Sequence, residues 1–390
     1  MSDEGAGFLE RQGATGTDFL ALDCISATLG VTAAWLGHDP SVLGEHWGYH
    51  RRLDAVESEW PVERIGIHRR TPEEILSEWY GLTTDHVHHP DSRRAEEYIR
   101  AHLSAGRPVI AWVDTFHVPH SSFHGQQHHS HRVVIHPVNG DGGRTGAGGG
   151  TGAGGGTGAG GGTGAGGGRG TRGGGGDEKD GAFRIVDRYQ GSLFDGFMDS
   201  DTLFTAMSSD ALGEARRGDP DWRNRTAVVT AASPLESGEA GEAGETAREK
   251  REERQRDRFR AAVAGTAHFA AGADLAAACA DELRAAAEAF ASLSPVGTIE
   301  VSAWFGELAS QRALNARFLR AAAETCALPA LVDRAADAEA LSRRWEMTRN
   351  YFFLRFRKGP EAVRRIADLI TETVTLEKEW NARVQDDVLI

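Results

Sequence analysis

Residues 140–180 constrain this chain more than any other stretch, because they have almost nothing to bury. Four identical copies of Thr-Gly-Ala-Gly-Gly-Gly run from Thr145 to Gly168, inside a tract from Gly140 to Asp180. A tract this dense in glycine cannot bury enough apolar surface to offset its ordering entropy, so a flexible hairpin insertion is expected. A phosphate-cradling loop is the alternative, but the repeat lacks the Lys-Ser/Thr of a P-loop and no helix follows it. What the tract separates is more informative. Arg132 to Ile135 precedes it and Phe183 to Val186 follows it, and both read as short strands. If these strands pair across the insertion, His131 and Asp187 come within hydrogen-bonding reach although they are distant in sequence.

The remaining elements follow from periodicity and capping. Ile25, Leu29, Ala33 and Leu36 recur at helical spacing and predict one apolar face on a helix that begins at Cys24. Ser41 to Trp47 fits a short helix. Thr71-Pro72-Glu73-Glu74 is a capping box that opens a helix to about Tyr80, and a further helix is expected over Arg93–Ala105. Val109–Val113 and Thr226–Thr230 complete the strands. Helices followed by strands predict an α+β domain with a mostly antiparallel sheet over residues 1–232. Ser233 to Asp257, rich in Gly and Glu and then in mixed charge, reads as a linker whose charged run begins a solvated helix. From Arg258 to Ile390 the composition turns to Ala, Leu, Arg and Glu with helical period, which predicts an α-helical bundle. There Ala338, Leu341, Trp345, Thr348 and Phe352 line one helix and Val363, Ile366, Ile370 and Val374 the next, with Pro360 between them.

Composition enters as a set of exclusions. The length of 390 residues favours two domains. A formal charge of −14 argues against a nucleic-acid partner. Three cysteines, Cys24, Cys279 and Cys326, imply no disulfide framework. Met1 to Leu20 has no apolar signal-peptide core, and no run approaches a membrane span, so a cytoplasmic protein is expected.

Chemistry centres on Cys24. A thiol in a helix's first turn faces unpaired N–H groups and the positive end of the helix dipole, which favour the nucleophilic thiolate. Such a nucleophile needs a base and a group that holds the base in one tautomer. His131 stands at the start of an apolar strand and Asp187 at the end of another, so they are the candidates. Asp114 rivals Asp187 for the third role, or shapes a substrate pocket. His128 and His129 compete with His131, but neither directly begins the strand. Histidines are dense here: His86, His88 and His89 come first, then His117, His120, His124, His128, His129, His131 and His136. Zinc is the rival explanation for the cluster. Without an HExxH-type pairing, and with Gly125 and two glutamines interspersed, a polar loop is preferred and no bound metal is expected.

The order of these segments resembles a known family. Asp-Cys-Ile-Ser at 23–26, Pro-Val-Ile-Ala-Trp-Val-Asp-Thr-Phe-His-Val-Pro-His at 108–120, His-Ser-His-Arg-Val-Val-Ile at 129–135 and Val-Asp at 186–187 are similar to the BtrH N-terminal-domain family of butirosin biosynthesis. Gly297-Thr-Ile-Glu300 and Arg317 to Ala323 are similar to the helical domain that often follows it. Asp23 stands where the family commonly has His, and His120 where it often has Tyr. The resemblance implies a papain-like, C39-peptidase-related fold and acyl or aminoacyl transfer from a carrier-protein thioester to a small-molecule amine or hydroxyl acceptor. It implies Cys24 as nucleophile, His131 as base and Asp187 as orienter, with Asp114, Ser26 and His120 expected to bind substrate. No cofactor is expected beyond the phosphopantetheine thioester that an acyl or peptidyl carrier protein delivers. A papain-like peptidase or thioester hydrolase, and a non-catalytic binding protein on the same fold, are the alternatives.

Overall fold

In a computed structural model of the chain, residues 23–45, 48–51, 65–66, 70–137, 181–189, 192–211, 222–231, 245–265, 269–292 and 295–388 are described. The glycine tract 140–180 lies outside the described residues, as does the first part of the expected linker, 233–244.

The architecture is α+β. Six strands form one antiparallel sheet: β3 (Leu82–His88), β4 (Val109–Asp114), β5 (Ser130–His136), β6 (Ala182–Tyr189), β7 (Ser192–Asp199) and β8 (Arg225–Ala231), after a two-residue pair β1 (His50–Arg51) and β2 (Ile65–Gly66). Their spatial order is β3-β8-β4-β5-β6-β7. The central strand β4, Val-Ile-Ala-Trp-Val-Asp, is buried throughout, as a strand covered on both faces must be. On one face, Val109, Ala111, Val113, Val133 and Ile135 pack against Ile99 of α3 (Ser92–Ser104) and Leu203 and Met207 of α4 (Ser200–Ser208). On the other, Ile110, Trp112, Val134 and Val186 share a core with Ala27, Leu29 and Val31 of α1 (Cys24–Trp35).

The strands that flank the glycine tract are antiparallel neighbours, with Val134 opposite Val186 and Ile135 opposite Ile185. The capping box at Thr71 opens α2 (Pro72–Tyr80) and closes on Gly81 in the left-handed region. Of the short helix expected over Ser41 to Trp47, the described part is a 3-10 turn over Pro40–Gly44, with Asp39 accepting from the Ser41 N–H, and residues 46 and 47 lie outside the described residues.

The C-terminal half is helical: α5 (Glu245–Ala264), α6 (Phe269–Ala285), α7 (Ala287–Phe290), α8 (Pro295–Cys326), α9 (Ala330–Arg355) and α10 (Pro360–Val388). Both expected stripes, Ala338 to Phe352 and Val363 to Val374, are buried. Helix α5 begins inside the span expected to be linker, with Phe259 and Val263 anchoring its last turns. The hydrophobic core is continuous across the expected boundary, joining α1 and the sheet to α8, α9 and α10. This corrects the single-faced picture of α1. Ser26 to Ala34 are all buried, because the helix lies between sheet and bundle.

The seam is tight and polar in places. A Cβ on Gly44 would lie 2.0 Å from the Leu314 carbonyl oxygen, so only glycine allows the backbones this close. Asn315 Nδ2 donates to the Gly44 carbonyl at 2.8 Å. Nearby, the buried Glu377 accepts from Arg312 (2.5 and 3.1 Å), from Trp345 Nε1 (2.7 Å) and from the Tyr49 hydroxyl. A carboxylate with this many donors is satisfied inside the core; breaking such an ion pair costs about 3–5 kcal/mol.

Candidate functional site

Cys24 is the first residue of α1 and is half-buried, while the other two cysteines are buried in the helical half. Asp23 caps the helix, its Oδ1 accepting from the N–H groups of Ile25 (2.9 Å) and Ser26 (2.8 Å). The cap is itself held from across the seam. The Asp23 N–H donates to Ser310 Oγ at 2.9 Å, and Ser310 Oγ donates to Asp23 Oδ2 at 3.3 Å. The helical half thus fixes the turn that presents the thiol.

The sheet supplies the other two groups. His131 is the second residue of β5, and its ring lies close enough to Cys24 for the thiol to help hold its charge. Continuing the β5–β6 register places Asp187 opposite Val133, so His131 and Asp187 are diagonal neighbours on one face. Their side chains meet at 2.8 Å, His131 Nε2 to Asp187 Oδ1. An ionised carboxylate only accepts, so Nε2 carries the proton of that bond and Nδ1 is the nitrogen that faces the thiol.

The electrostatics follow from burial and pairing. His131 is 2% exposed and Asp187 3%. Burial alone would discharge His131, but the charge of Asp187, its hydrogen bond and the contact with Cys24 outweigh this and raise the pKa to about 10. Burial would likewise raise Asp187; the His131 charge and the hydrogen bonds from two histidines instead lower it to about 2. At neutral pH the pair is an imidazolium on a carboxylate.

Sequence reasoning missed one contributor. Arg132 leans on the opposite face of β5, its guanidinium 4.4 Å from the Trp112 ring centre and 3.7 Å from Glu73. Burial lowers its pKa, and the charges of Cys24, Glu73 and Asp23 oppose that shift, so this cation lies within reach of the thiol. The strand alternation after His131 carried the only sequence signal for it. His120, expected among the substrate-binding residues, donates its Nε2–H to Asp187 Oδ2 at 2.8 Å while its ring stacks on Phe194 at 3.8 Å.

The structure places the three residues expected to bind substrate as follows. His120 is a partner of Asp187, because the β4–β5 loop folds back onto β6. Ser26 is 1% exposed in the helix interior and presents no surface to a ligand. Asp114 is fully buried at the end of β4, accepting from His128 Nδ1 (2.6 Å), Ser209 Oγ (2.6 Å) and the Phe116 N–H (3.1 Å). It is therefore a hub of its own and not the third member beside His131. Of the competing histidines, His128 belongs to Asp114, and the ring of His129 stacks on Phe123. His136, at the far end of β5, packs edge-on against Trp35, and burial lowers its pKa to about 4.

Asp114, His117 and His128 each place one potential metal-ligand atom within 4.8 Å of the other two. Among the described residues no helix is long and apolar enough to cross a membrane. A groove of about 360 Å³ on the helical half, lined by Leu341, Met347, Leu376, Trp380 and three arginines, involves none of these residues. A scan of protein-family models and a search of curated proteins returned no match to the chain.

Proposed function

We propose that the chain is a papain-like acyltransferase in which Cys24 accepts an acyl or aminoacyl group from a carrier-protein thioester and passes it to an amine or hydroxyl acceptor. The observation that supports this most is the connected series from a half-buried thiol at a helix start, through a buried imidazolium, to a buried carboxylate. The order of segments similar to the BtrH N-terminal-domain family supplies the substrate class.

Attack requires the thiolate, with the proton held on His131. Sulfur attacks the thioester carbonyl, and the Cys24 N–H is a donor to the resulting oxyanion, since Asp23 already takes the N–H groups of Ile25 and Ser26. As the carbon–sulfur bond to the carrier breaks, His131 gives its proton to the departing phosphopantetheine thiolate. The acyl group now sits on Cys24 and His131 is neutral. An acceptor amine attacks, loses its proton to His131 and displaces the Cys24 thiolate, which restores the ion pair. Asp187 stays ionised throughout and keeps Nδ1 aimed at sulfur.

Transfer and hydrolysis differ only in the acceptor. Incubation with an aminoacyl-phosphopantetheine thioester on a carrier protein, with and without an amino-sugar acceptor, separates them by product mass. The expected result is an amide that forms only with the acceptor and not with Cys24→Ala. Release of free acid at a rate no amine changes would discard the transferase in favour of a hydrolase.

A further inference from the structure

We propose that Asp114, His117 and His128 form a zinc-type divalent-cation site, separate from the Cys24 group, that clamps the loop between β4 and β5. Two imidazoles and a carboxylate are an ordinary zinc donor set, and three protein ligands leave a fourth position for water. Ligand atoms around tetrahedral zinc lie about 3.3 Å apart, given Zn–N distances near 2.0–2.1 Å. The three side chains already bring their ligand atoms within 4.8 Å of one another, at most about 1.5 Å beyond that spacing.

The backbone holds them there. Asp114 ends β4 and pairs with Ser130 of β5, and the 3-10 turn Thr115–His117 follows immediately. The Thr115 N–H donates to the His129 carbonyl and the Gly125 N–H to the Phe116 carbonyl, both at 2.9 Å, so the two arms of the loop are tied before any cation binds. Phe116 stacks on His128 with ring centres 4.2 Å apart, which orients that ring. The acid is fully buried and held by Ser209 and backbone N–H groups, the kind of outer contact that metal carboxylates have. On binding, His128 ligates through Nδ1 with its proton on Nε2, and the cation takes the place of the hydrogen bond between Nδ1 and the carboxylate. The clamped loop is the one that carries His120 to Asp187.

The test uses the full chain and zinc alone. After equilibrium dialysis, elemental analysis is expected to find one zinc per chain in the wild type and in Cys24→Ser. The variant His117→Ala/His128→Ala is expected to bind more than about 100-fold more weakly, beyond the 10–100-fold cost of losing a mere outer-shell partner. Cobalt(II) in the wild type is expected to show the visible band of tetrahedral coordination, and zinc to raise the unfolding midpoint of the wild type but not of the variant. If the double variant does not fold, His117→Gln alone is read for the same loss. Zinc held equally by wild type and variants, absent from the wild type, or lost with Cys24→Ser, overturns the site.

Discussion

Two strands of this sheet carry the same pairing of a buried aspartate with histidines, and they are built for different ends. Asp187 on β6 receives His131 and His120; Asp114 at the end of β4 receives His128, with His117 alongside. Both carboxylates are pulled below their ordinary range against the opposing effect of burial. For Asp187 the histidine charge leads the pull, whereas for Asp114 it is the hydrogen bond from Ser209 and then that from His128. The difference lies in the imidazole. His131 is sealed in, and its charge is held by Asp187 and by the nearby Cys24; the His128 side chain is 40% exposed. Burial and a neighbouring sulfur, and not the Asp–His pair, set the proposed catalytic histidine apart.

The contrast breaks first at the histidines. His131→Ala is expected to slow acylation of Cys24 by about 10²–10⁴-fold, the range of a lost general acid–base group. His128→Ala is expected to slow it about 100-fold less, with stopped-flow acylation as the measurement. Equal losses would make the two groups one site.

The aspartates come next. Asp187→Asn leaves the proton of His131 without its counter-charge and is expected to reduce turnover about 10²–10⁴-fold. Removing that partner also costs about 3–5 kcal/mol of stability. Asp114→Asn keeps one oxygen to accept from the Phe116 N–H and turns the other position into an amide NH2 that can only donate, to Ser209 Oγ, so urea unfolding is expected to show a smaller loss of about 1–3 kcal/mol.

A smaller effect belongs to His120. His120→Gln is expected to lower turnover about tenfold, below the 10²-fold that a 1 Å misplacement costs, because Asp187 keeps its bond to His131. A mere pocket residue would raise KM and leave kcat untouched; a fall in kcat supports the positioning role.

A further effect is in pH. A histidine pKa raised from 6.5 to about 10 adds stability fully present below pH 6.5 and lost as pH rises toward 10. The lowered Asp187 adds stability present above its ordinary 3.8 and lost as pH falls toward 2. The gap in urea midpoint between wild type and His131→Gln is therefore expected to be widest between pH 4 and 6.5 and to close by pH 10. A gap that widens with alkali would mean His131 is buried neutral.

Much of this was legible in the sequence for local reasons. The capping box at Thr71, the apolar run of β4 and the stripes of α9 and α10 are signals carried by neighbours in the chain. The glycine tract made the β5–β6 pairing readable, because such a segment leaves its flanks free to meet. Other features were not legible. β3, Leu-Thr-Thr-Asp-His-Val-His, lacks an apolar face, and it takes its shape from β8. β7 carries Gly196 and two aspartates, poor strand formers that only the ladder with β6 explains. Ser310 reaching Asp23, and the aspartate each histidine would choose, depend on long-range packing that no short motif encodes.

The central claim is that Cys24 is the one reactive sulfur and that His131 makes it so. Intact-mass spectrometry after exposure to an acyl thioester tests it directly, because Cys279 and Cys326 are both buried and burial pushes the Cys326 thiol up. The expected result is a single acyl adduct on the wild type and on Cys279→Ala, slowed in His131→Ala and missing from Cys24→Ala. An adduct that survives Cys24→Ala, or a wild-type chain that never gains one, would contradict the account.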